Sequence, residues 1–296
     1  MEIHKNWYDK NYRYFIYLMI FLLILSLIYL VDFYMKNGDI ILKDVSLTGG
    51  SSITVFDKNA NINELKSFLS PNFPDMNIRK LSEFRTGEQK GFFVETSAEV
   101  DEIKKALESF LGYSLNQDNS SVEFSGSALS SGFYQQLRFA IILAFLLMAI
   151  VVFIIFRTAI PSLAVILSAF ADIIMTITVV DLFGMRLSLA GIIAFLMLIG
   201  YSVDTDILLT YRLLKRKEGT VNEAIYGSFK TGMTMTLTSI AAVGTSLIII
   251  YTISDVLRQI FTVVLIGLLF DIINTWLTNA SILKWYVESK NEGGKI

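Results

Sequence analysis

The chain contains no cysteine, one histidine (His4) and three prolines (Pro71, Pro74 and Pro161) among its 296 residues. Without thiols there is no disulfide, no thiolate metal site and no cysteine nucleophile. With His4 as the sole imidazole, histidine relays, a zinc catalytic centre and a Ser-His-Asp triad lack their parts. Charge is also sparse: the formal net charge is −2, which leaves no basic footprint for nucleic acid. No cofactor motif and no set of metal ligands emerges. What the chain has in excess is apolar surface, at 53% of residues, more than a water-soluble core of this length needs.

The apolar residues are clumped into runs of about 18 or more with few charges, the length that crosses a hydrocarbon core of about 30 Å. Spans are expected at 13–33, 136–156, 162–181, 187–210, 232–252 and 259–281. The second is uniformly apolar from Phe139 to Phe156. The first lacks a small-residue cleavage site after it and reads as a retained helix. Basic residues flank one side of this set: Lys5, Lys10, Arg13, Arg157, Arg212, Lys215, Arg216, Lys217, Lys230, Lys284 and Lys290. The opposite short loops hold only Arg186 and Arg258, beside Asp181 and Asp255. Both termini are therefore expected in the cytoplasm. The expected division is 1–35 for the N-terminus and first helix, 36–133 for an extracytoplasmic domain, 134–283 for helices two to six, and 284–296 for a cytoplasmic tail.

The segment 36–133 reads as a small α/β domain. Ser51–Phe56, Asn77–Phe84, Phe92–Thr96 and Ser121–Phe124 are strand-like, with Thr86-Gly87 as a turn signal. Asn61 is placed to cap a helix to Leu69, and Thr96 with Glu99 to form a capping box for a helix to Leu111. The order βαββαβ is the ferredoxin-like pattern. Gly126–Gly132, rich in glycine and serine, is expected to be a flexible connector.

Polar residues at membrane depth carry the chemistry. A charged acid in hydrocarbon costs at least a few kcal/mol, so it is normally buried in protein or beside water. Ser168, Asp172 and Thr176 form one stripe in the third span. Gly267, Asp271, Asn274, Thr278 and Ser281 form another in the sixth. Thr231, Thr234, Thr238 and Thr245 line a face of the fifth, near Gly244. In the fourth, Asp204 and Asp206 point in different directions, being about 200° apart. Small and hydroxyl residues also mark plain helix contacts, a reading that competes for the threonine stripe. The mid-span acids Asp172 and Asp271 favour a functional or conformational role. The expectation is a seam in which Asp172, Asp204, Asp206 and Asp271 converge with Asn274, Thr231, Thr234 and Thr238.

Two motifs then carry a resemblance. Leu47-Thr48-Gly49-Gly50 is similar to the TGG motif that opens the external domain of the SecF branch of the SecD/SecF family. Gly200-Tyr201-Ser202-Val203-Asp204-Thr205-Asp206 resembles the acid-bearing motif of that branch's fourth span, with Arg212 at its end, Arg157 closing the second span and Asp172 in the third. The six-span layout covers the whole chain, and the likeness is to archaeal members. It implies membership of the resistance-nodulation-division superfamily and a cell-membrane location. It also implies pairing with SecD, and assistance to polypeptides crossing a SecYE-type channel at the expense of the proton gradient. Three positions depart from the bacterial pattern. The acid is displaced by one position, Thr231 with Lys230 stands where an arginine begins the fifth span, and Asp271 replaces a small residue. The charges are rewired, so proton coupling does not carry over residue for residue. A scaffold that only stabilises SecD or the channel, and half of a small-molecule exporter, are the competing readings. An enzyme is the weakest, since no GxGD sequence accompanies the paired acids.

Overall fold

The computed structural model describes residues 7–83, 86–215, 220–251 and 254–293. His4, Lys5, Phe84, Arg216, Lys217 and Thr252, to which the sequence reading gave roles, lie outside them.

Six helices are long and apolar enough to cross a membrane. They are α1 (Trp7–Asn37), α5 (Ser127–Phe156), α6 (Ala159–Leu182), α7 (Leu189–Leu214), α8 (Val221–Ile250) and a sixth helix in three parts. Its parts are α9 (Asp255–Ile273), a π-helical turn (Asn274–Asn279) and α10 (Ala280–Gly293). The chain is thus a multi-pass membrane protein. α6 is the axis of the bundle: 61% of its most apolar stretch is buried, against 6% for α8. Large apolar side chains of α1 and α5, such as Phe21, Ile28, Phe139 and Ile154, face outward, as lipid contact requires.

Between α1 and α5 lies a domain opened by a four-residue helix, α2 (Val45–Thr48), too short to show a periodic pattern. Then follow β1 (Gly50–Val55), α3 (Ile62–Leu69), β2 (Asn77–Ser82), β3 (Gln89–Thr96), α4 (Val100–Leu111) and β4 (Ser120–Ser125). The antiparallel sheet has the order β2-β3-β1-β4, the ferredoxin-like arrangement. Ile53 and Val55 lie opposite Val94 and Phe92, all on one face by the strand period of two. Leu65 and Leu69 of α3 and Ile103 and Leu107 of α4, each pair four apart, cover them. Each such buried side chain contributes about 1.5–3 kcal/mol. Asn61 caps α3 as expected, accepting from the amides of Asn63 and Glu64.

Two local expectations are corrected. Thr96 and Glu99 form no capping box: the Thr96 hydroxyl donates to Asp75 Oδ1 at 3.1 Å, and Glu99 caps α4 with no side-chain bond. A stronger acceptor has taken the threonine. Gly126–Gly132 is no flexible connector either. Gly126 is the N-cap of α5, and Ser127–Gly132 are its first turns. The following run of helix-forming residues extends the helix through the small ones.

Candidate functional site: a buried carboxyl cluster

Asp172 of α6, Asp206 of α7 and Asp271 of α9 are all buried, at 0, 0 and 1% exposure. They lie close enough together to interact electrostatically. Asp172 is held firmly. Asn274 Nδ2 donates to its Oδ1 at 2.7 Å, and the Ser202 hydroxyl donates to Oδ2. Asp206 Oδ1 accepts from Asn279 Nδ2 at 2.7 Å. Its Oδ2 is buried near Ser168 and Thr275 without a hydrogen bond of ordinary geometry. Asp271 is surrounded by the hydroxyls of Thr205, Thr236 and Thr275, all at 3.3–3.4 Å. Those distances exceed the usual 2.5–3.0 Å of a hydroxyl donor, so Asp271 is the most loosely held of the three.

The π turn makes this arrangement. Asn274 and Asn279 are five residues apart, which on an α-helix would separate them by about 140°. A π turn closes over five residues, so both amides face the cluster, one meeting α6 and the other α7. Asn274 Oδ1 in turn accepts from Thr278. Thr275, Thr278, Asn279 and Ser281 are all buried.

The structure brings together Asp172, Asp206, Asp271 and Asn274 of the expected seam. It leaves Asp204 out: two residues from Asp206, it lies exposed on the other side of α7. Thr234 and Thr238 are also outside, exposed on α8, with their hydroxyls donating to the backbone carbonyls of Lys230 and Thr234. The threonine that α8 sends inward is Thr236. Thr231 lies half-buried at another junction. Arg212 Nη1 donates to its hydroxyl at 3.1 Å and to the Gly227 carbonyl at 2.8 Å, tying the end of α7 to α8. Thr205, Thr236, Thr275 and Asn279 were missed by the sequence reading. Thr275, four residues after Asp271, carried a usable signal. Asn279, out of α-helical phase, carried none.

Within the fourth-span motif, Ser202, Thr205 and Asp206 face inward while Gly200, Tyr201 and Asp204 face outward. Thr48, Gly49 and Gly50 form the turn from α2 into β1. Gly49 and Gly50 have φ of 86° and 129°, and a Cβ on Gly50 would stand 2.3 Å from the Thr96 carbonyl oxygen. No L side chain fits there.

Among the described residues no lysine or arginine is ion-paired with any of the three buried acids. No group of three or more acids or histidines among them is disposed to hold a metal.

Residues 102–289 match the family model for the protein export membrane protein SecD/SecF, C-terminal region. The chain is 41% identical to the protein-export membrane protein SecF of Methanocaldococcus jannaschii, covering 94% of this chain and 96% of that one. It is 39% identical to SecF of Methanolacinia petrolearia, over 93% and 92%. This chain belongs to the SecF family. Its fold is that of SecDF from Thermus thermophilus, described as a translocon-associated membrane protein. The TM-score is 0.75 at 19% identity, over 98% of this chain and 39% of that longer one. Protein export is thus the process in which this SecF-family chain takes part, and its archaeal relatives fit the expected branch.

Proposed function

We propose that this chain pairs with SecD and assists polypeptides through a SecYE-type channel, with proton movement through the carboxyl cluster as the energy source. The observation that carries the proton reading is the burial of Asp172, Asp206 and Asp271 together, bonded only by hydroxyls and amides. Three uncompensated charges would cost several kcal/mol each in so dry a place, so the cluster holds fewer charges than carboxyls and its helix packing responds to the number. Moving one charge across 100 mV supplies about 2.3 kcal/mol, enough to bias a two-state packing. Long bonds at Asp271 favour it as the carboxyl that changes state.

Pairing is supported by the outward face of α7 and α8. Gly200 and Gly244 have no atom within 4 Å of where a Cβ would sit, and small residues let a neighbouring helix approach closely. Tyr201 and Asp204 share the exposed face of α7 with Gly200, and Thr234 and Thr238 are exposed on α8. In this reading both termini are cytoplasmic, and residues 36–133 face outward to meet the emerging chain.

The test is export into vesicles holding the complete complex. D172N and D271N, alone and together, are expected to lower proton-driven export at least tenfold while SecD still co-purifies. Full export by the double variant sinks the proton reading. Failure to recover SecD or channel subunits with the wild-type protein sinks the partnership.

A further inference from the structure

The cluster lies deep in the bundle, while the α/β domain stands at its end. Two roots join them. β4 runs through Ser125 and Gly126 directly into α5. β1 is rooted through α2, and that root is spliced onto the start of α7. Leu187 N donates to the Leu42 carbonyl at 2.7 Å, and Asp44 N donates to the Leu187 carbonyl at 3.0 Å. This is a short parallel bridge pairing Lys43 with Leu187. Leu189 N, in the first turn of α7, donates to Ser46 Oγ at 3.0 Å. Gln259 of α9 closes the assembly. Its Oε1 accepts from Ser188 N at 2.9 Å and from the Ser188 hydroxyl, and its Nε2 donates to the Arg186 carbonyl at 2.5 Å. A Cβ on Gly191 would fall 2.5 Å from Gln259 Oε1, so the contact admits no side chain between α7 and the latch.

We infer that α7 is the rod that carries a shift at the carboxyl cluster to the soluble domain, and that Gln259 is the positioning residue that fixes the loop at the rod's end. This rests on the reading that the cluster changes its protonation. Ser202 and Asp206 are 14 and 18 residues beyond Ser188, about 21 and 27 Å along one uninterrupted helix. α9 carries Gln259 twelve residues before Asp271, so the second helix of the cluster grips the same loop. Backbone hydrogen bonds at the splice leave little slack: the segment 42–46 moves with 187–189 or the bridge breaks. β1 and β4 pair side by side from Gly50–Ser125 onward. Displacement of α7 against α5 therefore acts on adjacent strands whose roots lie on different helices, and it tilts the sheet as a unit. Gln259 catalyses nothing; its role is exerted through the loop that it holds.

The experiment reads domain position without using export, so it fails or succeeds independently of the functional proposal. The chain has no cysteine, so spin labels at K105C on α4 and M35C on α1, both exposed positions, report one distance in the full chain in nanodiscs. Neutralising the cluster with D206N and D271N is expected to displace the distance peak by 1–2 Å or more, the scale of helix shifts. Q259L removes all three bonds but leaves the backbone bridge of Leu187 with Leu42 and Asp44, and is expected to cut the displacement to half or less. Q259E retains the two acceptor contacts with Ser188 and is expected to keep most of it, a graded result that loss of packing alone would not give. S46A cuts the side-chain link to Leu189, is expected to reduce the displacement likewise, and serves if Q259L does not fold. An equal displacement in Q259L and S46A, or no displacement in the otherwise unaltered folded chain, overturns the inference.

Discussion

Asn274 and Asp172, 102 residues apart in the chain, meet at 2.7 Å in the interior of the bundle, the amide donating to a carboxyl with no exposed surface. Intramembrane hydrogen bonds average only about 0.6 kcal/mol, because the unfolded helix finds other partners. This one has an acceptor with no water to turn to, and a buried acceptor left unpaired costs about 1–3 kcal/mol. N274A should therefore lower stability by about 1–3 kcal/mol, and N279A by a similar amount at Asp206. Reversible unfolding in mixed micelles measures both. A loss of less than about 0.5 kcal/mol in each would show that the amides are dispensable.

Arg212 and Thr231 make the next case. Its spacing on the fifth span assigns Thr231 to the acidic seam, whereas the structure makes it an acceptor for Arg212, beside the Gly227 carbonyl. Both bonds leave one nitrogen, Nη1, which the longer, planar arginine side chain carries to this spot and a lysine stem places less firmly. R212K is expected to lose about 1 kcal/mol and R212A about 1.5–3 kcal/mol. A double-mutant cycle with T231A should return a coupling of 0.5 kcal/mol or more. Additive losses would mean that the two residues act separately.

The spans were legible because a run of apolar residues of fixed length has one physical use. The strands and helices of the domain were legible because their periods of two and four place Ile53 and Val55, or Ile103 and Leu107, on one face. Which helix faces meet was not. On α8 the stripe Thr234–Thr238 looks like an interior face, but each hydroxyl satisfies itself on a carbonyl three or four residues back. Such threonines need no neighbour, so spacing alone cannot tell them from Thr236. In the sixth helix the π turn inserts an extra residue, and any extrapolation at 3.6 per turn loses Asn279. Asp204 was grouped with Asp206 through a shared motif, although two residues along a helix turn the side chain to the opposite side. The short α2 was hidden because four residues leave no periodicity.

Asp44 predicts a pH dependence. Burial pushes its carboxyl up from 3.8 to about 6, with Glu95 adding to the shift and the Ser46 hydroxyl and amide and the Arg79 guanidinium opposing it. The folded state then binds the proton more tightly than the unfolded chain does. The associated stability is complete below about pH 4 and is lost as pH rises through 6. Its upper bound is about 3 kcal/mol. Exchange protection of amides 45–50, corrected for intrinsic rates, should thus rise as pH falls from 7.5 to 4. In D44N that slope should flatten. Equal slopes in the two proteins would remove Asp44 as the cause.

The TGG turn gives the sharpest steric prediction. Gly50 has a φ of 129°, a region closed to L side chains, and the atom that its Cβ would strike is the backbone carbonyl of Thr96, not the end of a flexible side chain. Relief would require β1 to leave β3 at the pair Ser51–Thr96. G50A should therefore destabilise the α/β domain by roughly 2–4 kcal/mol. G244A is the control: no atom lies within 4 Å of its Cβ position, and its helical backbone suits alanine. It should be neutral or stabilising by about 0.5–1 kcal/mol. Limited proteolysis of the full chain in nanodiscs distinguishes them, with cleavage in the 50–125 segment expected for G50A alone. Equal resistance in both variants would mean that the sheet yields at Thr96, and that the glycine answers to something other than this close approach.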